Sequence, residues 1–103
     1  MICSKETKEV QSFAAGFQKF YTDYMKSSFP TLTVHELQMS EGKRYIKFTR
    51  DGSVRAFIDK ENGDVLKAAS WKAPAKGARG NVFAIDNGLT RVTPYGMEYN
   101  KPY

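Results

Sequence analysis

Residues 44–69 decide the fold, and they read RYIKFTRDGSVRAFIDKENGDVLKAA. Three segments of this stretch are predicted as β-strands, and the first two alternate between apolar and polar residues, the period of a half-buried β-strand. These segments are Arg44–Thr49, Val54–Asp59 and Val65–Ala69. Asp51-Gly52 separates the first two and Asn62-Gly63 the last two, and both dipeptides favour tight hairpin turns. The stretch therefore predicts three consecutive antiparallel strands.

A further strand is predicted upstream, over Thr31–Met39, where a slip in the apolar alternation indicates a β-bulge. Residues 40–43 then form the turn into the next strand. Successive strands joined by tight turns predict a four-stranded antiparallel meander with one covered face and one face partly in water.

Residues 4–29 show the helical period instead. Their apolar side chains recur at steps of three and four residues: Val10, Phe13, Phe17, Phe20 or Tyr21, and Tyr24. Ser4 is the predicted N-cap, and Pro30 is the predicted stop. One N-terminal amphipathic helix packed on a meander makes an α+β fold. The strand residues expected beneath the helix are Ile46, Phe48 and Ile58.

The C-terminal part is less regular. Residues 70–82 are rich in small residues and glycine, which predicts a loop. Asn81–Ile85 and Leu89–Val92 fit either a fifth hairpin or a short helix, so the sheet has four or five strands. Thr93–Gly96 fits a turn. A chain of 103 residues without an internal boundary predicts a single domain over residues 1–103.

Composition narrows the class of protein. Sixteen Lys and Arg against eleven Asp and Glu give a net charge of +5. This moderate basic excess is compatible with nucleic acid or an anionic surface and identifies neither. The apolar runs are far shorter than a membrane span, so we expect a soluble, cytoplasmic protein with no membrane partner.

No residue pattern points to catalysis. The single histidine, His35, has no neighbouring nucleophile in a recognisable motif. The single cysteine, Cys3, forms no internal disulfide, and with His35 it supplies too few ligands for zinc. Its terminal position predicts a mobile, dispensable thiol. We therefore expect no enzyme, no metal and no cofactor.

The sharpest functional feature is a basic stretch without acidic residues between Asp64 and Asp86. The candidate nucleic-acid-binding residues in it are Lys67, Trp71, Lys72, Lys76 and Arg79. Loop cations can contact successive phosphates, and an exposed tryptophan can stack on a base. In the alternative interpretation, Trp71 plugs the end of the core and the cations form a solvated edge.

The meander carries a second basic set, which consists of Lys43, Arg44, Lys47, Arg50 and Arg55. Alternation places Arg44 and Arg50 on one face of the sheet and Lys47 on the other. A sheet face that carries basic and aromatic side chains fits the binding of single-stranded nucleic acid.

Several segments around the basic stretch resemble a known group of proteins. They are GDVLK at 63–67, SWKAPAK at 70–76, ARGNV at 78–82 and YG at 95–96, preceded by AFIDK at 56–60. Through these segments the chain resembles small uncharacterised proteins encoded by tailed bacteriophages. The resemblance implies a phage source and action in the cytoplasm of an infected bacterial host. It implies no mechanism and no site residues.

Two functions stay open. The first is a phage-encoded accessory protein that binds nucleic acid, in particular single strands, through the basic loop with its tryptophan. The alternative is a protein-interaction module that binds a host or phage protein, either a host-factor modulator or a minor virion component. The alternative gains support if several aromatic side chains are exposed as one large patch.

Overall fold

In the computed structural model, which describes residues 2–93 and 96–97, one long helix packs on a five-stranded antiparallel sheet. The helix is α1 (Lys8–Ser28). The strands neighbour one another in chain order: β1 (Gln38–Glu41), β2 (Tyr45–Arg50), β3 (Ser53–Asp59), β4 (Asp64–Ala68) and β5 (Pro74–Asn81). A separate short hairpin pairs β6 (Val92–Thr93) with β7 (Gly96–Met97). The predicted α+β fold is confirmed.

The two glycine turns define the centre of the sheet. Asp51 and Gly52 both have a positive φ, 51° and 74°, which suits a tight hairpin whose twist matches that of the strands. At the second turn, Gly63 has a φ of 80° and donates its N–H to the Asp59 carbonyl at 2.8 Å. Both predicted hairpins are confirmed.

The first strand is shorter than predicted and lies later in the chain. β1 begins at Gln38, and residues 31–37 of the predicted strand Thr31–Met39 lie in turns and irregular chain. The helix satisfies part of their backbone instead. The Gln18 side chain accepts a hydrogen bond from the Leu37 N–H at 2.7 Å and donates one to the His35 carbonyl at 3.2 Å. The slip in alternation thus marks chain outside the sheet rather than a bulge.

The helix also begins later than predicted. Ser4 is wrong as the N-cap, because α1 begins at Lys8 with Thr7 at the cap position. The N–H groups of Ile2 and Cys3 bond to the Lys60 carbonyl, so the first residues follow the sheet before the chain turns into the helix. The stop is confirmed, since α1 ends at Ser28, two residues before Pro30.

Residues 70–82, predicted as a loop, contain a strand. β5 runs along the edge of the sheet and pairs with β4 in an irregular register. Proline and glycine weaken the strand signal in a sequence, yet edge strands and bulges tolerate both. Pro74 opens β5, and Gly77 adopts a φ of 91° in its irregular part. The loop prediction is therefore wrong for residues 74–81.

Residues 82–91 form neither the fifth hairpin nor the short helix. They make successive turns around Asp86, whose carboxylate accepts the N–H groups of Gly88 and Thr90, each at 3.0 Å. The turns lead into β6 and β7. The predicted turn Thr93–Gly96 lies between these two strands, and its central residues 94–95 are outside the described residues.

The helix buries its apolar stripe on the sheet as predicted. The fully buried residues of the shared core include Val10, Phe13, Phe17, Ile46, Phe48 and Ile58. The sequence allowed either Phe20 or Tyr21 in the stripe; in the structure Tyr21 is buried and Phe20 is 45% exposed. Gly16 interrupts the stripe because Leu89 packs there, and a Cβ at this position would overlap the Leu89 side chain.

The thiol of Cys3 belongs to the core, so the prediction of a mobile thiol is wrong. Cys3 is 6% exposed, and its Sγ lies 3.7 Å from the carbonyl oxygens of Asp59 and Lys60. Backbone bonding of the N-terminus to Lys60 holds it there. Burial, followed by the negative charge of Asp59, raises the pKa of the Cys3 thiol.

This raised pKa predicts that Cys3 stabilises the fold less at alkaline pH. The unfolded thiol loses its proton near its ordinary pKa of about 8.5, whereas the folded thiol keeps it to a higher pH. The contribution is therefore fully present below about pH 8.5 and declines as the pH rises through the folded pKa. From neutral to alkaline pH, the free energy of unfolding measured in urea should fall more for the natural chain than for Cys3→Ala. An equal loss in both proteins would contradict this prediction.

Candidate functional site

The face of the sheet opposite the helix, here called the outer face, carries aromatic and basic side chains. Along β2, Ile46 and Phe48 enter the core beneath the helix, so Tyr45 and Lys47 point to the outer face. Lys47 pairs with Phe57 of β3 across the sheet. The rings of Tyr45 and Phe57 meet edge to face with their centroids 5.8 Å apart. These residues form the floor of the candidate site.

A tight turn between β4 and β5 adds Trp71 to this face. The Ser70 hydroxyl accepts the N–H groups of Lys72 and Ala73, and the Ala73 carbonyl accepts those of Ala69 and Ser70. The turn brings the Trp71 ring over Lys47, with the lysine Nζ 4.4 Å from the ring centroid. Trp71 is nevertheless 53% exposed. The interpretation of Trp71 as a plug of the core is therefore wrong.

A cleft of about 320 Å³ opens between this turn and the β1–β2 turn. Its aromatic lining is Tyr45 and Phe57, and its cationic lining is Lys43, Arg44, Lys47 and Lys72. We call it the basic cleft. The volume is near the lower end of ligand pockets, about 300–1,000 Å³. Positive charge converges here from both turns, which makes an anionic ligand the best fit.

Glu41 also lines the basic cleft and Asp59 bonds to its Arg44, and both acidic side chains are engaged with neighbouring groups. Glu41 accepts the Lys5 N–H at 2.6 Å and pairs with Lys60 at 3.0 Å, and these two bonds lower the pKa of its carboxyl. Asp59 pairs with Arg44 at 3.1 Å, and this bond raises the pKa of the Arg44 guanidinium. The ion pair also orients Arg44, whose guanidinium lies 5.5 Å from the Tyr45 ring centroid.

A second cleft of about 330 Å³ lies beside the first, and none of the described residues that line it is charged. It is lined by Gly52 of the β2–β3 turn, by Ser53 and Val54 at the start of β3, and by residues 68–71, including Trp71. We call it the uncharged cleft. Lys47 lines the basic cleft, and Trp71 lines the uncharged one. Their 4.4 Å contact therefore stands where the two clefts meet.

The structure brings together some of the candidate residues predicted from the basic stretch. Trp71 and Lys72 lie at the two clefts, and Lys76 is exposed on the edge strand β5. Lys67 donates to the Met97 carbonyl at 3.0 Å and so ties the β6–β7 hairpin to β4. Arg79 is buried, and its Nη1 donates to the Lys76 and Gly77 carbonyls within β5. Lys67 and Arg79 thus have structural contacts away from the clefts.

The second basic set divides in the same way. Lys43, Arg44 and Lys47 line the basic cleft. Arg50 is only 1% exposed and lies under the helix, 3.8 Å from the Tyr21 ring centroid. Burial lowers the pKa of its guanidinium to about 10. The predicted separation of Lys47 from Arg50 is confirmed. The prediction that Arg44 shares the face of Arg50 is wrong, because Arg44 precedes β2 and lines the same cleft as Lys47.

The basic stretch by itself does not show that Lys47 contacts Trp71, or that Lys43, Arg44 and Tyr45 line the same cleft as Lys47. The alternation of β2 was the available signal, because it put Tyr45 and Lys47 on one face. The fold of the β4–β5 turn onto that face has no comparable signature in the sequence. Only the structure connects the two basic sets.

Within residues 2–93 and 96–97, no three His, Cys, Asp or Glu side chains are grouped so that they could hold a metal ion. In the same part of the chain, no helix combines the length and the apolar character that crossing a membrane requires. His35 lies in the irregular chain before β1, exposed, with its Nε2 3.8 Å from Asp51.

Comparison with known proteins places the chain in a family. The model of a family of unknown function, DUF7717, matches residues 3–94. No curated protein and no solved structure matches the chain. The match covers α1, the whole five-stranded sheet and both clefts. The chain therefore belongs to the family of unknown function DUF7717.

Proposed function

We propose that this protein binds single-stranded nucleic acid through the outer face of its sheet. The observation that carries the proposal is the exposed Trp71 ring, which lies on Lys47 at the junction of the basic and uncharged clefts. Proteins that bind single strands combine a positively charged groove for the backbone with aromatic rings on which bases stack. Trp71 supplies the ring, and the basic cleft supplies the groove.

The cations around the basic cleft suit a phosphodiester backbone better than a single small anion. Lys43 and Lys72 approach the cleft from opposite turns, and Lys47 stands on its floor. Each phosphate that such a lysine neutralises releases bound counterions, so binding weakens as salt rises. The net charge of +5 strengthens the general attraction to a polyanion.

The resemblance to proteins of tailed bacteriophages supports a proposal about the biological setting. We propose an accessory protein that acts in the cytoplasm of an infected bacterial host. Its role in this proposal is binding rather than catalysis, and it needs neither a metal nor a cofactor.

Removal of two cleft cations is the first test. Lys47→Gln with Lys72→Gln should weaken binding to every labelled oligonucleotide, whatever its sequence. The slope of log affinity against log salt should become shallower by about 0.7 for each lost phosphate contact. Fluorescence anisotropy at several salt concentrations measures both effects. Lys8→Gln with Lys26→Gln on the helix removes the same charge away from the clefts and should leave the slope nearly unchanged.

Removal of the ring is the second test. Trp71→Ala should weaken oligonucleotide binding by about 1–3 kcal/mol and leave the salt slope nearly unchanged, because stacking releases no counterions. Phe29→Ala is the matched control, since Phe29 is a similarly exposed aromatic residue at the far end of the helix. No binding at low salt by folded protein would contradict the proposed function, as would equal losses in both variants.

A specific observation supports the alternative, a protein-interaction module. The second half of α1 and the chain after it expose Phe20, Phe29 and Leu32, and the ring centroids of Tyr24 and Phe29 lie 5.9 Å apart. Large apolar side chains exposed along one segment favour a protein contact when they form one patch. If oligonucleotides fail to bind, a host or phage protein that co-purifies with natural protein and is lost with Phe29→Ala would favour this alternative.

A further inference from the structure

We propose that one nucleotide of a single strand spans both clefts, with its base in the uncharged cleft against Trp71 and its flanking phosphates in the basic cleft. This inference rests on the proposed function and adds the orientation of the ligand. It follows from the chemical difference between two clefts of nearly equal volume that meet at the Lys47–Trp71 contact.

The uncharged cleft suits a base. Its walls are glycine, serine, alanine and valine residues, which leave the Trp71 ring as the large planar surface. Phosphate would gain no cationic partner from this lining. A base gains a stacking surface, and stacking tolerates every base because each has a π-face. The site therefore discriminates paired from unpaired bases rather than one base from another.

The basic cleft does not suit a base equally well. Phe57 is almost completely buried, so its ring offers no face for stacking. The Tyr45 ring already contacts the edge of Phe57 and the Arg44 guanidinium. The cations of this cleft instead match phosphate oxygens. With the base in the uncharged cleft, the base stacks on Trp71 and the phosphates pair with the cations of the basic cleft. The opposite orientation provides neither contact.

Lys47 limits the number of stacked bases. Its Nζ stands 4.4 Å from the centroid of the Trp71 ring and occupies one face of the indole. The exposed part of the ring then accepts a single base. The same lysine is placed to neutralise the phosphate beside that base, because it also lines the basic cleft. One stacked base per protein molecule is the expected stoichiometry.

The test uses two probes of equal length, an oligothymidylate and an abasic phosphodiester strand. Trp71 is the single tryptophan of the chain, so selectively excited tryptophan fluorescence reports stacking directly. Oligothymidylate should quench it and bind at least about fivefold more tightly than the abasic strand. The abasic strand should bind through its phosphates without quenching.

Filling the uncharged cleft separates the contribution of base stacking from that of the phosphate contacts. Ala69→Leu, or Ser53→Leu from the opposite wall, should reduce oligothymidylate binding to the abasic level and leave the abasic strand unaffected. Ala84→Leu, an equal change at an exposed alanine outside both clefts, should affect neither probe. Equal quenching by the two probes, or equal effects of Ala69→Leu on both, would overturn this orientation while nucleic-acid binding stands. Failure of both probes to bind would overturn the proposed function and the orientation together.

Discussion

Replacement of Phe17 with alanine is expected to lower the free energy of unfolding by about 3–5 kcal/mol. Phe17 has no exposed surface, and its ring contacts Phe13 at 5.4 Å and the Arg50 guanidinium at 5.3 Å. The helix and the sheet both contribute to these contacts, so neither can close the cavity alone. Because a small domain has only about 5–15 kcal/mol of stability, the melting temperature should fall by more than about 10 °C.

The neighbouring Phe20 provides the matched control for this loss. It stands one turn further along the same helix and is 45% exposed. Phe20→Ala removes the same atoms, but nearly half of their surface is already exposed to water, so it should lower the free energy of unfolding much less. Thermal and urea unfolding of the two variants measures the difference. Equal losses would show that the helix does not pack through the face described here.

Replacement of Gly88 with alanine is expected to cost about 2–5 kcal/mol, which combines backbone strain with overpacking. Gly88 has a φ of 79°, a region that residues with a Cβ rarely adopt. A Cβ there would also lie 2.7 Å from Cγ2 of Val65, which is fully buried and has no room to move. The turns of residues 82–91 pack on the sheet at this point, so the whole segment should loosen.

A substitution at Gly52 separates the contribution of backbone strain from that of overpacking. Its φ of 74° is nearly the same, but nothing lies within 4 Å of a Cβ placed there. Gly52→Ala should therefore show the backbone strain alone, about 1–2 kcal/mol. Urea unfolding of both variants gives the overpacking contribution by difference. Similar losses in the two variants would contradict the close approach of Gly88 to Val65.

The order of the helix and the central strands could be predicted because each element is marked by a pattern of residues close together in the sequence. The apolar steps from Val10 to Tyr21 and the alternation of β2 each lie within one element. The turns at Asp51-Gly52 and Asn62-Gly63 depend on backbone conformations that few residues adopt. Burial of the stripe on Ile46 and Phe48 then follows, since each element has one apolar face to cover.

The predictions from the sequence are wrong where contacts with residues distant in the chain override a local sequence pattern. Residues 74–81 look like a loop, yet β4 offers an edge on which even a strand with glycine and proline can pair. Cys3 looks mobile from its position, yet the Lys60 carbonyl fixes the backbone there. The Thr31–Met39 segment looks like a strand, yet the Gln18 side chain of the helix bonds the His35 carbonyl and the Leu37 N–H.

The sequence by itself determined the fold class, the two central hairpins and the buried stripe of the helix. The tertiary structure alone decided which cations are available to a ligand. Arg50 enters the core and Arg79 bonds its own strand, whereas Lys47 and Lys72 line one cleft and Lys47 also contacts Trp71. The physical reason is that periodicity and turn conformation are properties of neighbouring residues. Exposure and charge clustering depend instead on contacts between residues far apart in the chain.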